Sequence, residues 1–373
     1  MPEPLADPLE RALAKEYLAA MGDVGQVPLD IHPSDDMYTV MVGHPDYRPH
    51  TRGFYYFKSG HDVLVTLEHL IGRLGKRWSD FEAILELACG YGRFTRLLSK
   101  VVPPERITSV DILEDAPRWV SSHYGVEGRL SATEPSEVDL GRSFDLIFVG
   151  SLFSHLPRPR FESWLARLIE MLTPCGVLAF STHGEALLDE GARDASGFTF
   201  QPHSESDVLD PGEYGSTFVR PSLVRELAAN RGAKSVFHRR RELWNFQDLF
   251  AVSPTEIDLG DWGPAPVVRG RIDQLQVESD GRFWIAGWAA DLSGAPIEKV
   301  ALSIDGQPTI EIPIDQARPD VAETLERPDL LKSGWQLEGR VPPLPPGAHR
   351  LVASLHSETL SGRPFDAMVF GES

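Results

Sequence analysis

The stretch AILELACGYGRFTRLL, residues 83–98, decides the fold of the first two thirds of the chain. An apolar run carries the carboxylate Glu86, a turn with glycines at 90 and 92 follows, and the next residues have helical spacing. In open α/β sheets, ligands bind at the carboxyl ends of the strands. The stretch therefore predicts a strand, a ligand-binding turn and a helix.

The same alternation continues downstream of this turn. Strand-like runs at 83–89, 107–112, 144–151 and 177–181 alternate with helix-like segments. A helix at 221–232 and two runs at 234–240 and 247–253 follow an irregular insertion that begins after Gly184. This order predicts a parallel sheet that is covered by helices on both faces and closed by a hairpin.

The residues of the turn favour one ligand class over another. A dinucleotide fold has a third glycine where Thr95 stands, and a pyrophosphate would be repelled by Glu86. S-adenosylmethionine carries a sulfonium and an ammonium and no phosphate, so an acid before the glycines suits it better. Asp111, at the end of the second predicted strand, can hold a ribose diol by two hydrogen bonds.

The segments ELACGYGR, ITSVD and FDLIFVGSLFSHLP resemble the first, second and fourth motifs of the class I S-adenosylmethionine-dependent methyltransferases. The resemblance covers about residues 55–253 and implies a Rossmann-like, seven-stranded, doubly wound sheet and an enzyme with S-adenosylmethionine as cofactor. It also implies cofactor-binding roles for these residues: Glu86, Ala88, Gly90, Gly92, Asp111, Ile112, Leu113, Thr133 and Ser151. Ala88 stands where many members have glycine, and Glu134 is an alternative to Thr133.

A hydroxyl acceptor needs a group that removes its proton, and histidine has a suitable intrinsic pKa. His155 follows the fourth predicted strand and His183 ends the fifth, so both are candidate catalytic residues, although His155 could equally pack or cap a helix. Further candidates for the acceptor site or a covering segment are His203, Tyr214, Gln247, Asp248, Tyr56 and Gly60. No metal is expected, because Asp35 and Asp36 and the acidic insertion lack a fixed ligand spacing.

The texture of the sequence changes after Trp262. Val300, Leu302 and Ile304 alternate before the turn Asp305-Gly306, which predicts a hairpin with one apolar face and, with the later runs, a small all-β sandwich. At least one of Trp284, Trp288 and Trp335 is expected to fill its core. The stretch resembles sandwich modules that are appended to bacterial glycan-processing enzymes. The predicted division is a covering segment 1–58, a methyltransferase domain 59–260 and the sandwich 265–373.

The formal net charge of −19 argues against nucleic acid and anionic membranes as partners. We expect a cytoplasmic protein without a signal peptide or membrane insertion; the oligomeric state is not indicated. The favoured function is O-methylation of a sugar or glycan hydroxyl in bacterial surface polysaccharide synthesis, with the sandwich assisting in acceptor binding. Two alternatives stay open: methylation of a small metabolite, and a non-catalytic binding protein that retains the fold.

Overall fold

The computed structural model describes residues 4–42, 44–202, 212–278, 281–340 and 344–371. Its helices are α1 (Pro8–Ala19), α2 (Asp36–Met41), α3 (Arg52–Arg73), α4 (Thr95–Val101), α5 (Ala116–Tyr124), α6 (Arg158–Glu170), α7 (Pro221–Ala229) and α8 (Pro319–Thr324). Its strands are β1 (Ile84–Leu87), β2 (Ile107–Asp111), β3 (Glu127–Leu130), β4 (Phe144–Val149), β5 (Leu172–Gly184), β6 (Phe198–Gln201), β7 (Ser216–Val219), β8 (Ser235–Leu243), β9 (Gln247–Ser253), β10 (Val268–Val277), β11 (Arg282–Asp291), β12 (Ile297–Ile304), β13 (Gln307–Ile312), β14 (Gly334–Arg340), β15 (His349–Ser357) and β16 (Arg363–Phe370).

The chain divides into two compact units. One comprises residues 62–262, and the other combines residues 1–61 with residues 263–373. The predicted division makes residues 1–58 a separate covering segment, and no pattern in the sequence groups them with the C-terminal strands.

The unit 62–262 is built on a nine-stranded mixed sheet. Five parallel strands lie in the order β3-β2-β1-β4-β5, β9 pairs antiparallel with β5, and β8 pairs with β9. These seven strands confirm the methyltransferase-type Rossmann-like fold. The remaining two, β7 and β6, pair beyond the end of β5, where His183 lies opposite Phe218. The carboxyl ends of β1, β2, β4 and β5 therefore lie along one edge of the sheet.

Burial explains why these segments form strands. Every residue of β1, β2 and β9 is buried, as is usual for strands that are covered on both faces. Phe144, Phe153, Phe161 and Phe180 are fully buried in the core that packs against this sheet. The strand-like apolar runs in the sequence thus indicate a sheet that is covered on both faces.

Three predicted elements differ from the structure. The segment HDVLVTLEHLIGRLG predicts a helix that starts at Ser59, but α3 begins at Arg52, so that FYYFKSG is helical. The sequence obscures this because Phe54, Tyr56 and Phe57 are all buried and leave no polar face there. The insertion after Gly184 contains β6 among its described residues. The C-terminal region was expected to hold only strands, but α8 begins at Pro319, a residue suited to the first turn of a helix.

In the other unit, the N-terminal helices share an apolar cluster with β15 and β16. Leu13, Tyr17 and Phe54 belong to the same buried cluster as Val352 and Ala367. The sequence predicts a helix with Asp7 as N-cap and a capping box closed by Glu10. Asp7 is the N-cap of α1, and its carboxylate accepts from the amide of Leu9. The capping box is absent from α1, because the Glu10 carboxylate accepts from the Tyr38 hydroxyl and the Gly53 amide instead.

A buried carboxylate on β16 ties these helices to the strands. Asp366 has no exposed surface, and its oxygens accept from Arg48 at 2.9 Å, from the Tyr55 hydroxyl and from the amide of Ile272 at 2.6 Å. A buried charge is stable only when it is paired and hydrogen-bonded in this way. Asp366 therefore links residues that are more than three hundred positions apart in the sequence.

The C-terminal strands form two antiparallel sheets, β10-β11-β14 and β13-β12-β15-β16. The predicted turn at Asp305-Gly306 joins β12 to β13, with φ of 50° and 78° at these two residues, as a type I′ turn requires. Trp335 is buried among the apolar residues between the sheets, whereas Trp284 and Trp288 are half-buried and point away from that core. The β-rich region expected after Trp262 is thereby confirmed.

In the part of the chain that the structure describes, no helix is both long enough and apolar enough to cross a membrane.

Candidate functional site

Strand β1 carries a buried acid just before the turn. The Glu86 side chain accepts a hydrogen bond of 2.6 Å from the Thr95 hydroxyl, at the start of α4. The pKa of Glu86 is raised from 4.5 to about 8, mainly by burial and also by the nearby Asp111 carboxylate, although the Thr95 hydrogen bond acts in the opposite direction. An acid in this state gains from a cationic ligand, because a neighbouring positive charge favours the ionised form.

Three residues of the same turn have positive φ: Ala88 (59°), Gly90 (52°) and Gly92 (85°). A Cβ at Gly90 would meet no atom within 4 Å, so this position borders open space. A Cβ at Gly92 would lie 2.5 Å from Tyr124 Cε2 and 3.0 Å from Val120 Cγ1, both on α5. Gly92 therefore serves the packing of α5, and Gly90 leaves room for a ligand. Ala88 adopts the conformation that a glycine would take with less strain.

Asp111 lies at the end of β2, beside this turn. Its two carboxylate oxygens accept from the amides of Gly90, at 2.7 Å, and Leu113, at 2.9 Å. The turn after β1 and the turn after β2 are thus held by one side chain. The next residue, Ile112, is 43% exposed, and Leu113 is half-buried, so apolar surface borders the carboxylate.

The residues after β3 fit the predicted site less closely. Thr133 is exposed, and its neighbour Glu134 forms an ion pair with Arg160 at 2.5 Å. The hydrogen bond that Arg160 donates to Glu134 is the main cause that raises the pKa of Arg160 above its usual value. Glu134 is thus engaged with the protein, which leaves Thr133 as the better candidate of the two.

At the end of β4, Ser151 belongs to a polar network that joins three strands. Its amide donates to the Ser181 hydroxyl at 2.9 Å, and its hydroxyl accepts from the Gln247 amide group at 2.7 Å. Ser181 in turn donates to the Gln247 carbonyl oxygen at 2.6 Å, and Ser154 donates to the carbonyl of Ser151. Ser151 has a φ of 62°, a strained value for this residue type that the network holds in place.

The two candidate catalytic histidines lie together. The ring centroids of His155 and His183 are 6.1 Å apart, and Tyr214 stacks on His155 at 4.5 Å. His155 is buried, and its Nδ1 lies 2.8 Å from the carbonyl oxygen of Gly215. A carbonyl only accepts, so Nδ1 carries the proton and Nε2 is the basic nitrogen.

His183 has a different environment. Its pKa is lowered from 6.5 to about 4, mainly by burial and also by the neighbouring His155. Its Nδ1 is buried and has no hydrogen-bond partner among the described residues. The ring lies near the aromatic rings of Phe218 and Phe246. At neutral pH His183 is an uncharged hydrogen-bonding group in an aromatic setting.

An aromatic hairpin turn borders the same edge of the sheet. Trp244 and Asn245 both have positive φ between β8 and β9, and Phe246, directly after them, is 45% exposed. The guanidinium of Arg93, in the turn after β1, lies 4.8 Å from the centre of the Trp244 ring. This turn and the glycine turn therefore meet across the strand ends.

Several residues named from the sequence do not contribute to this cluster. Asp248 is buried, and its carboxylate accepts from His238 at 2.8 Å and from the Arg241 amide at 2.9 Å, which ties β8 to β9. Tyr56 is fully buried and donates to Asp35 at 2.6 Å, in the unit that contains the N-terminal helices. His203 lies outside the described residues.

Sequence reasoning missed Ser154, Ser181, Arg93 and Trp244. Ser181 ends the predicted run 177–181, so the rule that polar strand ends gather at one edge could have found it. Trp244 had no signal, because its approach to Arg93 depends on where β9 enters the sheet. Among the described residues, no group of three or more His, Cys, Asp or Glu side chains is arranged to hold a metal ion.

The described residues fit S-adenosylmethionine. The carboxylate of Asp111 suits a diol, and the exposed apolar side chain of Ile112 suits an adenine ring. Open space at Gly90 and the buried acid Glu86 suit a cationic amino acid.

Residues 84–176 match the model of a family described as "Methyltransferase domain". This part of the chain is therefore similar to a class I methyltransferase domain, a kind of domain whose cofactor is S-adenosylmethionine. The match includes the turn after β1, the end of β2 and the end of β4.

Curated relatives are similar to about a third of the chain. A malonyl-[acyl-carrier protein] O-methyltransferase of Calditerrivibrio nitroreducens is 32% identical over 114 residues, which are 31% of this chain and 43% of the relative. One of Priestia megaterium is 33% identical over 137 residues, 35% of this chain and 47% of the relative. The chain thus spans less than half the length of these relatives.

Solved structures are also similar to part of the chain. The DhpI-SAM-HEP complex covers 52% of this chain and 86% of its own, with 20% identity and a TM-score of 0.39. The sugar N-methyltransferase KedS8 of Streptoalloteichus covers 57% of this chain and 96% of its own, with 16% identity and a TM-score of 0.40.

Proposed function

We propose that this protein transfers a methyl group from S-adenosylmethionine to a hydroxyl of a sugar or glycan. The observation that carries the proposal is the pair of neighbouring imidazoles, His155 and His183, because a hydroxyl acceptor needs a base and a hydrogen-bonding partner. The family match at residues 84–176, which includes Ser151 and His155 and ends before His183, supports the reaction class.

The chain's own residues divide the cofactor contacts. Asp111 would hold the ribose hydroxyls, with Ile112, Leu113 and Thr133 around the adenine. Glu86, Ala88, Gly90 and Gly92 would form the site that receives the amino acid part. Glu86, which is mostly protonated at neutral pH in the cofactor-free protein, would ionise beside the ammonium, because a neighbouring positive charge favours the ionised form. The cofactor supplies an electrophilic methyl group on a sulfonium.

At the acceptor, His155 is the better candidate for the base. The hydrogen bond from its Nδ1 to Gly215 fixes the ring and makes Nε2 the basic nitrogen, to which we assign the acceptor's proton. His183, with its lowered pKa, is a weak base but a good hydrogen-bond acceptor, so its role would be to orient the acceptor hydroxyl. Ser151 and its network fix the floor of the pocket, and Tyr214 and Phe246 supply apolar faces against which a sugar ring can pack.

A second candidate comes from the curated relatives, which are named for a malonyl group on acyl-carrier protein. A malonyl group presents an ionised carboxylate, which attacks without a base and requires a nearby cation. Arg93 is the cation beside the aromatic turn. A carboxylate acceptor would make the reaction depend on Arg93 and not on His155.

The decisive experiment combines binding and turnover in the full chain. We expect micromolar affinity for S-adenosylhomocysteine in calorimetric titration, about 8 kcal/mol, which Asp111→Ala abolishes. With neutral sugar acceptors, His155→Gln should lower kcat by about a hundredfold without changing that affinity, while Arg93→Gln should have a small effect.

Other outcomes exclude this proposal. If S-adenosylhomocysteine does not bind to the folded wild type, the protein is a binding protein that retains the fold. Turnover of a malonyl thioester that is lost in Arg93→Gln and kept in His155→Gln would establish the carboxylate acceptor instead.

A further inference from the structure

The sheet β10-β11-β14 has an outer face with two tryptophans. On the central strand β11, Phe283 and Ile285 point into the core, so Trp284 and Trp288 point outward. Both indoles are half-buried. They are four residues apart, about 13 Å along the strand, which is too far for one sugar ring to touch both.

The neighbouring strands surround these rings with exposed amides and a carboxylate. In the strand register, Gln276 and Glu338 flank Trp284, and Gln274 and Gln336 flank the position between the two tryptophans. All four side chains are exposed. An amide both donates and accepts hydrogen bonds, and so does a sugar hydroxyl.

The position beside Trp288 on β14 is a buried glycine that is covered by a neighbouring segment. Gly334 lies opposite Trp288 on β14, and the stem of Arg318 passes over it, 2.8 Å from where a Cβ would stand. On the other strand Arg271 lies opposite Trp288 and donates to the Asp46 carbonyl at 2.8 Å. At the Trp288 end, the outer face is therefore formed by the backbone of Gly334 and by the aliphatic parts of Arg318 and Arg271.

The charges at this face are largely paired. Arg282 forms an ion pair with Glu278 at 2.5 Å, and Arg318 pairs with Asp273 and Asp320, each at 2.6 Å. Glu338 and Arg340, of opposite sign, project from the same side of β14. A near-balanced charge gives no attraction for a polyanion, whereas flat aromatic rings attract the C–H faces of an uncharged sugar.

We propose that this outer face, defined by Trp284, Trp288, Gln274, Gln276, Gln336 and Glu338, binds a neutral oligosaccharide. The two indoles stack on sugars of one chain, and the amides bond the hydroxyls of the sugars between them. The choice of ligand rests on the proposed function, since a glycan-methylating enzyme gains from a second hold on its acceptor chain. The binding itself needs neither cofactor nor methyl transfer.

The test uses the full chain on an array of oligosaccharides of two to ten sugars, neutral and uronic-acid-containing. We expect retention by neutral oligosaccharides and about tenfold weaker binding after each of Trp284→Ala and Trp288→Ala, which corresponds to about 1.4 kcal/mol. Trp284→Phe with Trp288→Phe should keep part of the affinity if either alanine variant fails to fold. Leu331→Ala is the matched control, because it removes an exposed apolar side chain elsewhere in the same unit.

Asp111→Ala separates this inference from the proposed function. It should abolish binding of S-adenosylhomocysteine and leave glycan retention intact. If neutral glycans bind while the wild type binds no S-adenosylhomocysteine, the proposed function fails and the inference about the outer face stands. Three results would overturn that inference: the protein binds no neutral oligosaccharide, it binds only acidic ones, or the wild type and the folded tryptophan variants bind neutral ones equally well.

Discussion

Single side chains in the turn after β1 separate the requirements of the fold from those of the ligand. Gly90 and Gly92 are two residues apart and both have positive φ, yet one faces open space and the other packs against α5. The two glycines look alike in the sequence, but Gly90 leaves room for a ligand and Gly92 is required by packing against α5.

Substituting these glycines should give opposite results. Gly90→Ala is expected to cost about 1 kcal/mol of stability, from the strained φ alone, and to weaken S-adenosylhomocysteine binding by at least about tenfold. Gly92→Ala adds the clash with Tyr124 and should destabilise the fold by about 3 kcal/mol or more. Urea unfolding and calorimetric titration of both variants measure this; equal stability losses would contradict it.

Glu86 should make the stability of the cofactor-free protein depend on pH. Its pKa is about 8 in the folded state and 4.5 when unfolded, so the folded protein holds a proton that the unfolded chain releases between these values. The contribution of Glu86 to stability is therefore present at pH 4.5 and is lost as the pH rises toward 8.

Glu86→Gln removes this dependence. Urea unfolding at pH 5, 6.5 and 8 should show the wild type losing stability relative to the variant as the pH rises. The difference between the two proteins cancels the titration of all other groups. Curves that run parallel would contradict the prediction.

The strand-end residues of β1, β2, β4 and β5 were predictable because local periodicity places each strand. Glu86, Asp111, Ser151 and His183 were located from the sequence in this way, although their roles stay predictions. The partners of Ser151 were not paired with it in the sequence analysis, since Gln247 lies 96 residues away and the adjacency of β9 to β5 is not encoded locally.

Among the elements, β9 has the largest influence on the candidate site. Its antiparallel entry next to β5 places Gln247 against Ser181 and Ser151, and its hairpin with β8 carries Trp244 and Phe246. A short register shift of this strand would remove the polar network and the aromatic turn together.

The network should behave as a unit in a double-mutant cycle. Gln247→Ala and Ser181→Ala share one hydrogen bond, so we expect their stability losses to be non-additive by about 1 kcal/mol. Ser253→Ala, which removes a buried hydrogen bond to Gly176 at the other end of β9, is the control and should add to Gln247→Ala. Additive losses for Gln247 and Ser181 would show that their contact is not coupled.

In the whole molecule, the unit that joins residues 1–61 with 263–373 could not be predicted from the sequence. The contacts that make it, Asp366 with Arg48 and Tyr55, connect the two ends of the chain. No local pattern in either segment predicts that it packs against the other. The sandwich itself was predictable, because alternation and the Asp305-Gly306 turn are local signals.

Asp366→Ala should destabilise that unit alone. Removing one partner of a buried ion pair leaves Arg48 and Tyr55 unpaired and is expected to cost about 3 kcal/mol. Scanning calorimetry should then show one transition lowered, while the transition that S-adenosylhomocysteine raises stays in place. Glu311→Gln breaks an exposed pair with Lys299 and should shift neither. A fall of the cofactor-sensitive transition by Asp366→Ala would refute the independence of the units.

The joining of both chain ends in one unit has a consequence for biosynthesis. Residues 1–61 leave the ribosome before Val352, Ala367 and Asp366 are translated. Residues 62–262 are contiguous and can fold in the interval, since domains generally fold as units during synthesis. Until residues 352–367 have been translated, Leu13, Tyr17 and Phe54 lack these partners, so we expect nascent chains that stall in the sandwich to bind chaperones.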